Sequence, residues 1–233
     1  MRSVAMKIAM LFSGGKDSNL ALYRLVKSGH EVAALVTALP SRSDSWMFHY
    51  PNAHLASAQA ECLGIPWESI RVSGEEGIEV EELERGIEAI KRRREIEALG
   101  TGAIASRYQR SRIAEVCSRL GLECASPLWG EDEESLLREL IGLNFEVYFA
   151  SVSAEGLTRE WLGRRLDQGA LASLLSIKDR YKINISGEGG EYETFVADSP
   201  LFRRKIRITA ASPSWSRNWG VWEISGYEIV KKG

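Results

Sequence analysis

A chain of 233 residues, 44% hydrophobic and 27% charged, has enough apolar material for a substantial core and lies far from disordered or fibrous compositions. Its formal net charge of −2 excludes a protein that coats nucleic acid by bulk attraction, though it leaves room for a local basic patch. The early apolar run at 4–12 is too short for a membrane span or a signal peptide, and Cys62, Cys117 and Cys124 form no CxxC pair, so reduced thiols in a cytoplasmic protein are expected in place of a disulfide frame or a zinc site.

Residues 7–12 form a short apolar run ending in glycines, which predicts a buried strand feeding a loop. Leu20, Leu22, Leu25 and Val26 then recur at helical spacings over 18–27, with Gly29 as the stop. A second strand, rich in Val and Ala, is expected at 31–37. The stretch 38–52 carries Pro40, Pro51 and three serines and reads as a long loop or lid. Helix returns over 53–63, closed by Gly64, and a third strand follows at 67–72. A long charged helix is expected over 76–99, with Ile78, Leu83, Ile87, Ile90 and Leu99 as its apolar stripe and Gly100 as its stop. Residues 103–106 predict a fourth strand, 109–120 a helix and 122–125 a short fifth strand.

Strands separated by helices of this length imply right-handed crossovers and a parallel sheet covered on both faces. The expected class is α/β, a doubly wound, Rossmann-like sheet with ligands at the carboxyl ends of its strands. From Ser126 the pattern changes to a helix at 131–142, a strand at 145–151, and helices near 158–166 and 170–180. Paired strands at 205–211 and 220–231 then follow, joined across 213–218. The expected organisation is a nucleotide-binding domain over 1–125 and a smaller α+β domain over 126–233.

A strand, then Ser13-Gly14-Gly15-Lys16-Asp17-Ser18, then a helix is a device for holding phosphate. Glycines let successive N–H groups point at one anion, and the helix adds its positive end. Lys16 offers a charge, Ser13 and Ser18 offer hydroxyls, and Asp17 is placed to hold Mg²⁺ or to orient Lys16. A Walker A loop is ruled out because Met10 stands where its first glycine belongs. Gly187-Glu188-Gly189 is no dinucleotide fingerprint either, since Tyr192 takes the third glycine position.

Residues 13–18 resemble the PP-loop ATP pyrophosphatase superfamily, which shares SGGxDS after its first strand. The resemblance implies an enzyme that splits ATP between the α- and β-phosphates, activating a carboxyl or carbonyl oxygen as an adenylate. A nitrogen or sulfur nucleophile then displaces AMP. It also implies that adenine lies against backbone at the end of the second strand, near Val36 and Thr37. Three further stretches narrow the family: residues 54–60 leading into Leu63-Gly64-Ile65-Pro66, residues 101–110, and Gly187-Glu188-Gly189-Gly190-Glu191-Tyr192-Glu193-Thr194-Phe195-Val196. Together they look like the diphthine–ammonia ligase family, over nearly the whole chain.

That resemblance implies ATP with Mg²⁺ at Asp17, and nucleotide contacts from residues 13–18, Thr37, Gly102, Ser106, Tyr108 and Gln109. The acceptor it implies is a modified histidine of translation elongation factor 2 with a free carboxylate, received by residues 126–233. No amidotransferase cysteine arrangement is visible, so free ammonium is the expected nitrogen source.

The architecture supports this independently. The ends of strands one and four flank the crevice, so Ser106, Tyr108 and Gln109 face the phosphate loop, and Arg107, Arg110 and Arg112 are candidates for charge on pyrophosphate or adenylate unless merely solvated. Glu188, Glu191 and Glu193 cluster among glycines. Such a cluster attracts a cation, and mutual repulsion raises one pKa, which suits a base that deprotonates ammonium. Lys16 and Asp17 complete the expected catalytic set.

The remaining candidates have blander readings. His54 serves a ligand or a helix start, while His30 and His49 have no nameable partners. Residues 91–94 are basic but interrupted by Glu88, Glu95 and Glu97, so a solvated face is favoured and no stable nucleic-acid partner is expected. Residues 203–205 contact an acidic partner or flank a strand, and Cys124 reads as a core thiol. Self-association is left open. The rival readings are an amide ligase on another carboxylate, a tRNA-modifying PP-loop enzyme, and a non-catalytic ATP or AMP sensor.

Overall fold

A computed structural model describes residues 5–41, 52–75 and 77–233. The expected lid at 38–52 falls largely outside them; its first residues continue the second strand.

Five strands form a parallel sheet: β1 (Lys7–Leu11), β2 (Glu31–Pro40), β3 (Trp67–Val72), β4 (Ala98–Gly100) and β5 (Glu123–Ala125), in the order β3-β2-β1-β4-β5. All four pairings are parallel. The crossovers run through α1 (Lys16–Lys27), α2 (Ala56–Leu63, entered by a 3-10 turn), α3 (Ile78–Arg94) and α4 (Arg107–Leu120). The apolar stripe of α3 and that of α4 close one face of the sheet with Ala9, Ala34, Val36 and Leu99. On the other face α1 and α2 share a core with the second half of the chain, from Leu20 and Leu22 to Phe149 and Phe195. The doubly wound α/β class is therefore the observed one.

The second half contains α5 (Glu133–Gly142), β6 (Glu146–Val152), α6 (Gln168–Tyr181), β7 (Tyr192–Asp198), β8 (Arg204–Ser216) and β9 (Trp219–Lys231). Its strands form a separate antiparallel sheet in the order β7-β6-β9-β8. Among the described residues no helix is long and apolar enough to cross a membrane.

Three elements differ from expectation. The long helix ends at Arg94, where Glu95 takes a left-handed cap at φ 54 without the glycine that normally marks such an end. Ala98 and Leu99 are buried because they belong to β4, between β1 and β5, with Ile96 buried just ahead of it, and residues 103–106 are loop. Gly100 is a strand residue held small by Met10 and Leu25, whose side chains would lie 2.8 and 2.9 Å from a Cβ. The helix expected at 158–166 shrinks to a 3-10 turn over Arg159–Trp161. After it Gly163, at φ 76, turns the chain so that 163–166 bond along β6 through Phe149 and Val147. Finally, β8 continues through Pro213, and the turn is Arg217 and Asn218 alone. Pro213 is tolerated because β8 is an edge strand, where a missing N–H breaks no ladder bond.

Candidate functional site

The strand order reverses between β1 and β4, so the phosphate loop after β1 and the loop after β4 flank one crevice. The second sheet closes it with β7, leaving a cavity of about 600 Å³.

Gly14 makes the turn after β1 at φ 84, and a Cβ there would sit 2.4 Å from Gln59 Oε1. Gln59, fully buried on α2, donates from Nε2 to the carbonyls of Gly14 (2.9 Å) and Val196 (2.6 Å). The Val196 N–H donates to the same Gly14 carbonyl at 3.2 Å. The Lys16 N–H donates to Thr194 Oγ1 at 3.0 Å. The loop is thus held by α2 and by β7, a strand far away in sequence. Ser13 Oγ accepts from Gly15 N–H and donates to Ser18 Oγ, both at 3.3 Å. Gly15 caps α1 without a side-chain hydrogen bond of its own, and the side-chain acceptor at the positive end of α1 is Thr194 Oγ1, on the Lys16 N–H.

Lys16 is buried and committed. Its Nζ donates to both oxygens of Asp17 (2.9 and 2.7 Å) and to the Ser186 carbonyl, and lies 5.3 Å from the centre of the Tyr192 ring. Burial opposes its charge, yet Asp17 beside it, with Tyr192 and Glu193, outweighs that and holds its pKa above the ordinary value. Burial also raises the Asp17 carboxyl, against the pull of Lys16. Asp17 is therefore first of all the partner of Lys16.

Across the cavity the three glutamates separate. Glu188 accepts from the Ile104 N–H at 2.6 Å and so fastens the loop after β4; burial raises its pKa. Glu191 does not line the cavity: its carboxylate accepts from Asn184 N–H and Gly189 N–H, both at 2.9 Å, and knits the turn before β7. The expectation that Glu191 faces the reaction is corrected by this geometry. Glu193, one residue before the Thr194 that braces the loop, lines the cavity, and among the described residues none makes a hydrogen bond or ion pair to its carboxylate. Burial pushes its pKa up to about 8, Asp17 and Glu188 adding to the shift and Lys16 opposing it.

Gly102, Ser106, Tyr108 and Gln109 all line the cavity. Gly102 packs on the start of α1, where a Cβ would lie 2.8 Å from the Asp17 carbonyl carbon and the Ser18 nitrogen. Ser106 caps α4 by accepting from the Gln109 N–H at 3.3 Å. Thr37 is turned into the sheet: its hydroxyl donates to the Phe12 carbonyl and accepts from Trp67 Nε1, while Val36 and Ala38 face the cavity. The Thr37 side chain thus serves the sheet, and a nucleotide contact near Val36 and Thr37 falls to the backbone, as expected of this strand end. None of Arg107, Arg110 and Arg112 lines the cavity. Arg110 stacks on Trp129 at 4.1 Å and Arg112 pairs with Glu115.

The weaker candidates follow the bland readings. His54 is exposed, and His30 accepts from the Met6 N–H. The basic run at 91–94 is spent on Glu88, Glu68 and the Leu120 carbonyl. Arg204 pairs with Glu61, and Cys124 lies outside the cavity, half-buried at the edge of the core and not within it as expected. His49 falls outside the described residues. Sequence reasoning missed Gln59, Thr194 and Ser186 as supports of the loop. Gln59 had one signal, a large polar residue among the alanines of a buried helix face.

Residues 6–124 match the family model described as diphthamide synthase N-terminal domain, and residues 132–230 that of the diphthamide synthase C-terminal domain. The curated diphthine–ammonia ligase of Homo sapiens is 35% identical over 225 residues, covering 88% of this chain and 84% of the human one. That of Schizosaccharomyces pombe is 37% identical over 220 residues, covering 88% of this chain and 36% of the yeast protein. A crystal structure from Methanocaldococcus jannaschii, described as a predicted subunit of tRNA methyltransferase, is 22% identical, with 75% of this chain and 88% of that one covered at a TM-score of 0.40, too low a likeness to carry an argument.

Proposed function

The chain belongs to the diphthamide synthase family, and from that premise we propose how its residues build the amide. The enzyme is an ATP-dependent carbon–nitrogen ligase that joins diphthine and ammonia. We take residues 1–125 as the ATP-binding domain and 126–233 as the part that receives the acceptor, a diphthine on translation elongation factor 2.

The phosphate loop receives the β- and γ-phosphates at the start of α1. The acceptor carboxylate attacks the α-phosphorus. Its P–O bond to the leaving pyrophosphate breaks, and the loop holds the charge that departs. Asp17 is the carboxylate suited to Mg²⁺, which binds through one or two carboxylates together with phosphates and water. Among the described residues no group of three ligating side chains forms an all-protein cage, which fits that mode. Asp17 would hold the ion in place of its present partner Lys16, whose ammonium would remain at the loop for phosphate charge. When bound, Mg²⁺ neutralises phosphate charge.

Glu193 is the general base. Ammonium must lose a proton before nitrogen can attack the acyl carbon, and a carboxylate with pKa near the working pH accepts it efficiently. The C–N bond forms and the C–O bond to AMP breaks; the first proton of ammonium stays on Glu193, and the second, lost from the nitrogen after attack, leaves on the AMP phosphate. One observation carries this reading: Glu193 lies on the cavity wall with its carboxylate unpaired among the described residues, adjacent in the chain to the brace of the phosphate loop. Arrival of a cation lowers its pKa and readies it as a base.

The test uses Glu193→Gln with ATP and diphthine-bearing elongation factor 2. Pyrophosphate release should persist, while amidation with ammonium should fall about 10²- to 10⁴-fold. Hydroxylamine, neutral at pH 7, needs no base and should restore product, seen by mass as the hydroxamate. Wild-type amidation with ammonium, or an equal loss with both nucleophiles, refutes the base. Formation of ADP instead of AMP refutes the adenylation.

A further inference from the structure

The rim of the cavity carries an indole with nothing on it. Trp219 follows the turn of Arg217 and Asn218, is 49% exposed and lines the cavity. The turn is fixed: Arg217 sits at φ 51, and Trp215 Nε1 donates to its carbonyl at 3.1 Å. Tyr108, the other exposed aromatic of the rim, is already covered by the Arg112 guanidinium, 5.4 Å from its ring centre. Among the described residues no ring and no cation lies on Trp219. A half-exposed indole at a hairpin tip forfeits burial that a polar turn residue would never need.

The wall behind it is acidic. Glu193 pairs with Ser151 and Ser151 with Val221, so these residues project from one face of the sheet, and Trp219, two before Val221, projects with them. Among the described residues three carboxyl groups, Asp17, Glu188 and Glu193, face this cavity against the ammonium of Lys16. A cavity of that charge that also takes up polyphosphate needs positive charge from its ligands. An exposed aromatic face in front of carboxylates fits an alkylated ammonium. Such a cation has no N–H to give a carboxylate, and an aromatic face holds it through its quadrupole.

We propose that Trp219 is the subsite for a quaternary ammonium on the acceptor and selects the acceptor by its N-methylation. The inference rests on diphthine as acceptor, whose trimethylammonium shares a carbon with the reacting carboxylate. Held at Trp219 before the Glu193 wall, the cation directs that carboxylate inward, toward the phosphate loop.

Wild type, Trp219→Leu and Trp219→Phe are compared on elongation factor bearing diphthine and on the same factor bearing the unmethylated amine. Trp219→Leu should raise KM for the methylated acceptor about tenfold. KM for ATP and for the unmethylated acceptor should not move, and Trp219→Phe should recover most of the loss. Tetramethylammonium should compete with the acceptor and shift the Trp219 indole N–H resonance, assigned by its absence from Trp219→Leu. An equal loss on both acceptors, the mark of a contact with the protein body, overturns the proposal. So does an indole resonance that ignores tetramethylammonium. That titration needs no turnover, so it stands apart from failure of the ligase reading, in which wild type releases no pyrophosphate with diphthine.

Discussion

Glu193 costs free energy wherever it is charged in the empty cavity, and that cost is visible in stability as well as in catalysis. Its folded pKa of about 8 lies above the ordinary 4.5, chiefly through burial. The folded state therefore binds a proton that the unfolded state gives up, and stability falls with pH between the two values. The favourable contribution is complete below about pH 4.5 and is lost as pH rises through about 8. Glu193→Gln removes the titration, so thermal melts without ligand should show the variant gaining on wild type from about pH 5 to about pH 9 and levelling beyond. Parallel Tm curves for the two proteins would contradict a half-buried, proton-holding Glu193. That the candidates for the proposed base are Glu188, Glu191 and Glu193 was legible in the motif itself. Which of them lies on the cavity wall without a partner was not, because spacing cannot tell that Glu191 folds back onto Asn184 and Gly189 while Glu193 stands near the start of a strand.

The site is assembled where ends of elements meet, and Gly102 marks the tightest meeting. The loop after β4 touches the first turn of α1 so closely that a Cβ at 102 would stand 2.8 Å from the Asp17 carbonyl carbon and the Ser18 nitrogen. Both neighbours are backbone and cannot rotate away, so Gly102→Ala must displace the phosphate loop or the loop after β4. Overpacking of this kind costs about 1–3 kcal/mol. Calorimetry should show ATP affinity reduced about tenfold or more, with the circular dichroism spectrum retained. Wild-type affinity would mean that the contact yields freely. The alternation of strands and helices that builds this crevice was readable from apolar runs and glycine stops. The end of α3 was not, because Glu95 adopts the left-handed cap without glycine and the buried Ile96, Ala98 and Leu99 extend the helical stripe by coincidence. The crevice was still placed correctly, since β4 ends at Gly100 and the loop that follows lies where the misplaced strand was expected to end.

At the scale of the whole molecule, the phosphate loop is a joint property of both halves. Three of its bonds come from beyond residue 125: Thr194 Oγ1 to the Lys16 N–H, the Val196 N–H to the Gly14 carbonyl, and the Ser186 carbonyl to Lys16 Nζ. The apolar core on the α1 and α2 side is shared as well, and Arg24 on α1 reaches Glu139 and the Pro127 carbonyl. A sequence motif at 13–18 announces phosphate chemistry but holds no trace of a brace some 180 residues away (Lys16 to Thr194, a separation of 178). Each such bond contributes about 0.5–1.5 kcal/mol net, and three together outweigh the roughly 1.4 kcal/mol of a tenfold change in affinity. Residues 1–125 produced alone should therefore bind ATP at least about tenfold more weakly than the full chain and expose apolar surface to a hydrophobic dye. Adding residues 126–233 in trans should restore binding and quench the dye. A fragment 1–125 with the ATP affinity of the whole protein would show that the loop is self-supporting, and β7 would then matter to the reaction through Glu193 alone.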